Sequence, residues 1–154
     1  MKTLIEKIVS GGQTGVDRAA LDLAIEFGIP HGGWCPLGRL AEDGIIGAQY
    51  QLKETLTAVY AERTELNARD SDGTLILYQK PLSGGTALTL QCAKKYSRPF
   101  LLLDLDMPVD RAAFKNWLET NGIKVLNIAG PRESHAPGQI YRRSYACLRE
   151  LVEL

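Results

Sequence analysis

A doubly wound α/β fold, with helices on both faces of a parallel sheet, is what this sequence predicts, and three observations carry it. Short β-branched and leucine-rich runs alternate with amphipathic helical stretches along the 154 residues, the pattern of successive βα units. "TLILY" is a continuous apolar run, as expected for a buried parallel strand, and "RPFLLLDLD" reads as a further strand. Two glycine-rich loops, "SGGQTG" and "SGGT", each open into an apolar helix, as strand-to-helix turns in such folds do. No internal repeat, low-complexity tract or linker interrupts the chain, so 1–154 is expected to form one three-layer α/β/α domain.

The elements follow in order. Glu6–Ser10 reads as the first strand. Val16–Phe27 is a helix, with Val16, Ala20, Leu23, Ala24 and Phe27 on one face. Gly28 stands at its C-terminal cap and Pro30 stops it. A short second strand is expected over His31–Cys35. Residues 36–72 lack clear periodicity and read as a long ordered loop, helical only over Glu62–Ala68. Thr74–Tyr78 is the third strand, Thr86–Tyr96 a helix, and Pro99–Asp104 the fourth strand. Asp110–Asn121 is a helix closed by Gly122, with Ala113, Phe114, Trp117 and Leu118 inward. "KVLNIAG" is the fifth strand, and Gly138–Leu154 the last helix, with Tyr141, Tyr145, Leu148 and Val152 on one stripe.

Bulk composition narrows the function. Eighteen basic residues balance eighteen acidic ones, so no global field favours nucleic acid or an anionic membrane, although a local anion pocket stays open. No apolar run approaches the roughly 18–20 residues of a membrane span. Glu6 and Lys7 interrupt the early apolar residues, so no signal-peptide layout is seen and a cytoplasmic protein is expected. Cys35, Cys92 and Cys147 are odd in number and widely spaced. They predict neither a disulfide framework nor, with His31 and His135, a zinc site. Cys92 and Cys147 fall on helix faces and are expected in the core.

Candidate binding residues cluster in the loops. Gly11, Gly12 and Gly15 let the backbone approach a ligand closely, Gln13 stands among them, and Thr14 is expected to cap the first helix with Asp17 as its capping-box partner. A helix start of this kind suits a phosphate. The spacing is neither GxGxxG nor a P-loop, so the signal is for an anion and not for a particular nucleotide. Ser83, Gly84, Gly85 and Thr86 form the second cradle. The ends of the first and third strands are neighbours in the usual doubly wound orders, so both cradles are expected at one crevice. "AGPRES" after the fifth strand adds Arg132, suited to two-pronged pairing with a phosphate, with Glu133 and Ser134 as caps or contacts. "GWCPLGRLAEDG" offers Trp34, Arg39, Glu42 and Asp43, where an aromatic ring and an arginine could flank a planar heterocycle. Arg63 and Asn67, four residues apart, share a helix face.

Taken together, "SGGQTGVDRAALDLA", "GWCPLGRLAEDG", "RTELNARDSDGTLIL", "SGGTALTLQCAKKYSRP" and "NIAGPRES" resemble the Putative molybdenum carrier family. These are small Rossmann-like proteins related to molybdenum cofactor carriers. The resemblance covers nearly the whole chain in order. It implies a parallel sheet of five or six strands, a homo-oligomer (dimer or tetramer), and molybdenum cofactor, an anionic phosphorylated pterin, as bound cargo passed to molybdoenzyme recipients. No catalytic cofactor and no protein ligand to the metal are implied. The phosphate would lie on Gly11–Gly15 and on Ser83–Thr86, with Arg132 or Arg39 balancing charge. Leu37 is a departure, since a lysine is expected there in the Cys-Pro-x-Gly-Arg stretch.

The wider superfamily includes phosphoribohydrolases with a Pro-Gly-Gly-x-Gly-Thr-x-x-Glu loop whose glutamate is catalytic. Aligning Gly85-Thr86 with that Gly-Thr places Thr89 where the glutamate would fall, and a threonine cannot serve as a carboxylate base near neutral pH. The sequence therefore points to a binding protein before an enzyme. A nucleotide or ADP-ribose sensor using the same cradle is the alternative.

Overall fold

The computed structural model describes residues 4–82 and 84–153. In chain order the elements are β1 (Lys7–Val9), α1 (Val16–Glu26), β2 (His31–Gly32), β3 (Trp34–Cys35), β4 (Leu40–Ala41), β5 (Gly44–Ile45), β6 (Lys53–Glu54), α2 (Tyr60–Arg69), β7 (Gly73–Tyr78), α3 (Gly84–Lys95), β8 (Phe100–Asp104), α4 (Arg111–Thr120), β9 (Val125–Ala129), a 3-10 turn (Glu133–His135) and α5 (Ile140–Val152). Five strands form one parallel sheet in the order β2-β1-β9-β7-β8. Helices flank it on both sides, giving the doubly wound three-layer α/β/α architecture expected from the alternation.

Strand parity explains the two faces. Ile8, Leu126, Ile128, Leu75 and Leu77 join Ala20 and Leu23 of α1, Phe114 and Leu118 of α4, and Ile140, Leu148 and Leu151 of α5 in one buried apolar cluster. The alternate residues turn the other way. Thr74 and Asn127, paired across β7 and β9, are buried on that second face, and Arg63 and Asn67 of α2 and Thr86 and Thr89 of α3 are buried polar residues too. One face is thus packed with hydrocarbon and the other holds buried polar side chains, which burial alone does not favour.

Three expectations need correction. The first and third strands, β1 and β7, are not neighbours: the last strand, β9, lies between them. The strand expected over His31–Cys35 is two strands in different sheets. β2 pairs with β1, while β3 pairs with β6. The break falls at Gly33, whose φ of +126° and whose position 2.4 Å from the Ser10 carbonyl oxygen, measured from an ideal Cβ, admit no side chain. Finally, 36–59, expected as ordered loop without regular elements, contains short strands. It holds the β4–β5 hairpin and β6, and it packs Ala41, Ile46 and Tyr50 on Leu21 of α1 in a second small core. In α5 the buried stripe is set by Ile140, Ser144, Cys147, Leu148, Leu151 and Val152, which includes the expected Leu148 and Val152; Tyr141 and Tyr145 stack on its flank.

Candidate functional site: a polar cavity at the carboxyl ends of β1, β9 and β7

A cavity of about 290 Å³ opens where β1, β9 and β7 end, at the sheet edge where open α/β folds hold their ligands. Gly11 and Gln13 line it from the β1 loop, Asn127 and Pro131–Arg132 from β9 and its turn, Tyr78 and Pro81 from β7, and Gly84, Gly85, Thr86 and Thr89 from the start of α3. Both glycine loops therefore meet one crevice, although β9 stands between their strands. The β9 turn, whose position sequence alone leaves open, lies at the centre.

The first loop is built differently from a phosphate cradle. The N–H of Gln13 donates to Asp17 Oδ2 (3.3 Å), that of Thr14 to Gln13 Oε1 (3.1 Å), and that of Val16 to the Pro131 carbonyl (3.2 Å). The protein's own carboxylate, Asp17, stands in the first turn of α1, so the Gln13, Thr14 and Val16 donors are already taken by the protein. The helix is capped by Gly15, not by Thr14. An ideal Cβ on Gly15 would stand 2.5 Å from the Pro131 oxygen, and its φ is +80°, so the β9 turn demands a glycine. Gly12, Thr14 and Gly15 do not line the cavity. Gly12 lies against Ile46 and Leu52.

Beneath the loop, Arg63 Nη1 donates to the Gly11 carbonyl (2.8 Å) and lies 3.5 Å from Asp17 Oδ2. Burial pushes the Asp17 carboxyl up, against the pull of Arg63 and the Gln13 N–H. Asn67 accepts from the Trp34 N–H (2.7 Å) and donates to the Trp34 carbonyl (3.0 Å), joining α2 to β3. The shared face of Arg63 and Asn67 is therefore buried and reaches the cavity.

Two groups in the cavity wall lack partners. Gln13 accepts two backbone N–H bonds at Oε1, from Thr14 and from Glu42 (2.8 Å). Those bonds fix which end of the carboxamide is oxygen. Its Nε2 is buried with no acceptor among the described residues, a vacancy native interiors rarely leave. The Arg132 guanidinium makes no hydrogen bond among the described residues; it lies over the Tyr60 ring, 5.6 Å from its centroid, as Arg63 does at 5.3 Å. At the start of α3 no acidic residue stands in the first turn, and nothing lies within 4 Å of an ideal Cβ on Gly84 or Gly85. This end, unlike that of α1, has no carboxylate in its first turn to offset the positive end of the helix dipole.

Ser134 lines the cavity too. Its N–H (3.1 Å) and its hydroxyl (2.6 Å) both donate to the Glu42 carboxylate. The Thr14 hydroxyl also donates to Glu42 and accepts from the Glu133 N–H (3.1 Å). Burial opposes the Glu42 charge, but the Ser134 and Thr14 bonds outweigh it and hold the carboxyl below its usual range. Glu133 Oε1 accepts from the Tyr141 N–H (2.8 Å), satisfying a donor at the start of α5. Arg39 is not in the wall. Its guanidinium donates to the carbonyls of Ile46, Gly47, Tyr50 and Leu52 and braces the 39–52 segment. Leu37, the departure noted above, is also outside the wall. Ser83 lies outside the described residues. Thr89 is in the wall, its hydroxyl donating to the Gly85 carbonyl (2.9 Å). Cys92 and Cys147 are buried, as expected of core cysteines, and so is Cys35.

Asp17, expected as a capping-box partner, lines the cavity, and Asn127 is a cavity residue that the loop motifs did not flag. Asn127 was detectable: a polar residue between Leu126 and Ile128 in an apolar strand must face away from the core.

The circularly permuted YpsA SLOG family model matches residues 8–152. The chain belongs to this family. The permutation agrees with the sheet, where the last strand fills the place beside β1 that the third takes in the usual order. A crystal structure named "Putative molybdenum carrier protein", from Syntrophus aciditrophicus, is 49% identical, covers 98% of this chain and 97% of its own, and superposes with a TM-score of 0.91. No curated protein matches. No helix among the described residues is long and apolar enough to cross a membrane.

Proposed function

We propose that this protein is a carrier that holds molybdenum cofactor as bound cargo. The observation that carries the reading is the pairing of a buried, unsatisfied donor, Gln13 Nε2, with an exposed arginine, Arg132, that has no hydrogen-bond partner among the described residues, in one cavity. A ligand with a hydrogen-bonding ring at one end and a phosphate at the other answers both. The phosphate belongs at the Gly84–Thr86 start of α3 beside Arg132, and a ring acceptor of the pterin belongs at Gln13. Gly11 and Gln13 of the first loop, where the Gln13 and Thr14 N–H groups are already bonded, serve as wall. The likeness to a chain named as a molybdenum carrier favours the pterin over other phosphorylated rings. About 290 Å³ is at the small end of the roughly 300–1,000 Å³ of small-molecule sites, so part of such a cargo would project, which suits hand-over to a molybdoenzyme.

Anaerobic titration calorimetry tests this, with molybdenum cofactor, AMP and ADP-ribose as parallel ligands. Micromolar or tighter binding of the cofactor alone is expected. Binding of the nucleotides instead would replace the carrier with a nucleotide sensor on the same cavity. Silence from all three would remove the ligand assignment. Hydrolysis of AMP to adenine and ribose phosphate, followed in the same samples, is expected to be absent, because Thr89, its hydroxyl bonded to the Gly85 carbonyl, stands where a catalytic carboxylate would be needed.

A further inference from the structure

The geometry points to Glu42, outside the cavity, as the positioning residue that aims both of its unpartnered donors, an inference that rests on the anion-binding reading above. The carboxylate joins three segments far apart in sequence. It accepts from the Thr14 hydroxyl of the first loop and from the N–H and hydroxyl of Ser134 in the β9 turn. Its own N–H, at the β4–β5 hairpin, donates to Gln13 Oε1. The first set of bonds clamps the 131–135 turn that carries Arg132. The last, with the Thr14 N–H, fixes the Gln13 carboxamide so that Nε2 remains the free end. Among the described residues Arg132 has no other polar anchor, and its guanidinium stacks on Tyr60. Without Glu42 the turn keeps the Val16-to-Pro131 and Glu133-to-Thr14 bonds but loses every side-chain bond to Ser134.

Electrostatics and positioning predict opposite signs, which makes the inference testable. Glu42 is a negative charge whose field reaches Arg132. Were it only a charge, removing it would tighten anion binding, equally in Glu42→Ala and Glu42→Gln. As a tether it behaves otherwise. A glutamine keeps an oxygen for Thr14 and the Ser134 N–H, and its amide can donate to the Ser134 hydroxyl, which accepts as readily as it donates. An alanine keeps only the backbone N–H bond to Gln13 Oε1 and loses the bonds to Thr14 and Ser134.

The experiment uses the full chain and two readouts: amide hydrogen exchange of 131–136, and affinity for inorganic pyrophosphate, an anion without a ring. Glu42→Ala is expected to speed exchange in 131–136 and to weaken pyrophosphate roughly tenfold, the size of one charge-assisted hydrogen bond. Glu42→Gln is expected to restore both. In an Arg132→Ala background, Glu42→Ala should no longer change affinity. Thr14→Val, which removes one arm of the clamp, should move both readouts the same way by less, and it replaces Glu42→Ala if that variant does not fold. Tighter binding in Glu42→Ala, or unchanged exchange in the turn, overturns the inference. Failure of the unsubstituted protein to bind pyrophosphate would instead overturn the anion reading of the cavity, and the exchange comparison would then decide the tether by itself.

Discussion

Arg63 and Asp17 form a buried ion pair beneath the first glycine loop, Nη1 to Oδ2 at 3.5 Å, with side chains only 10% and 8% exposed. Neither is satisfied by the pair alone. Arg63 also holds the Gly11 carbonyl and Asp17 the Gln13 N–H. The pair thus fixes the loop from below, at the cost of desolvating both charges.

Arg63→Ala should be among the most damaging single changes, because it strands a buried carboxylate. A loss of about 3–5 kcal/mol is expected near neutral pH. Burial already raises the Asp17 pKa in the folded state, and removing Arg63 takes away the chief opposing influence. A raised folded pKa means the folded protein holds its proton after the unfolded chain has lost it. The Asp17 contribution is then most favourable below the unfolded value of about 3.9 and is lost as pH rises through the folded value. The deficit of the variant should therefore shrink on acidification. Urea unfolding at pH 7 and pH 5 measures it, and an equal deficit at both would show that Asp17 is not the stranded group.

The alternation of elements is legible in the sequence because burial on both faces leaves apolar runs such as "TLILY", and a cap such as Asp110, whose carboxylate accepts from the Ala113 N–H at 3.0 Å, marks a helix start. Strand order is not. Parity assigns Leu126 and Asn127 to opposite faces, but nothing local places β9 beside β1. The site inherits that gap. Thr14 has the side chain of a cap and the spacing of one, yet the Pro131 carbonyl, arriving from the far end of the chain, makes Gly15 the cap and leaves Thr14 to Glu42. Arg39, set among glycines, has the chemistry of an anion ligand. Four carbonyls from the long loop claim it first.

Asp22 accepts from two tyrosines, Tyr50 at one oxygen and Tyr141 at the other. Burial first, and then the bond to Asp22, pushes the Tyr50 hydroxyl up to about 12, and the same causes raise Tyr141. The folded state therefore keeps protons that the unfolded chain gives up near 10, so this stabilisation is complete below about pH 10 and is lost as pH rises through the folded values. In Asp22→Asn the late phase of tyrosine ionisation, read by ultraviolet absorbance, should move toward ordinary values. An unchanged titration would mean that burial alone sets it.

Gln13→Glu separates the two ends of that carboxamide. The carboxylate can still accept from Thr14 and Glu42, so the loop keeps its shape. The Nε2 donor disappears, and a negative charge stands near Asp17 in its place. Affinity for the ring-bearing ligand should fall at least about tenfold, while pyrophosphate, bound at the Arg132 end, falls less. Calorimetry with both ligands measures the ratio, and equal losses would place Gln13 at the anion instead of the ring.

Arg132→Ala is the complementary change. Arg132 is exposed and makes no hydrogen bond among the described residues, so stability should move by no more than about 0.5 kcal/mol. Anion affinity should fall, and its dependence on ionic strength should flatten, because the charge that salt screens is gone. Arg132→Lys keeps the charge but loses the planar fork and its stacking on Tyr60. It should therefore retain the salt dependence while recovering only part of the affinity. Calorimetry of the three proteins at two salt concentrations tests this, and full recovery in the lysine variant would reduce Arg132 to a point charge and remove the reason for its place over Tyr60.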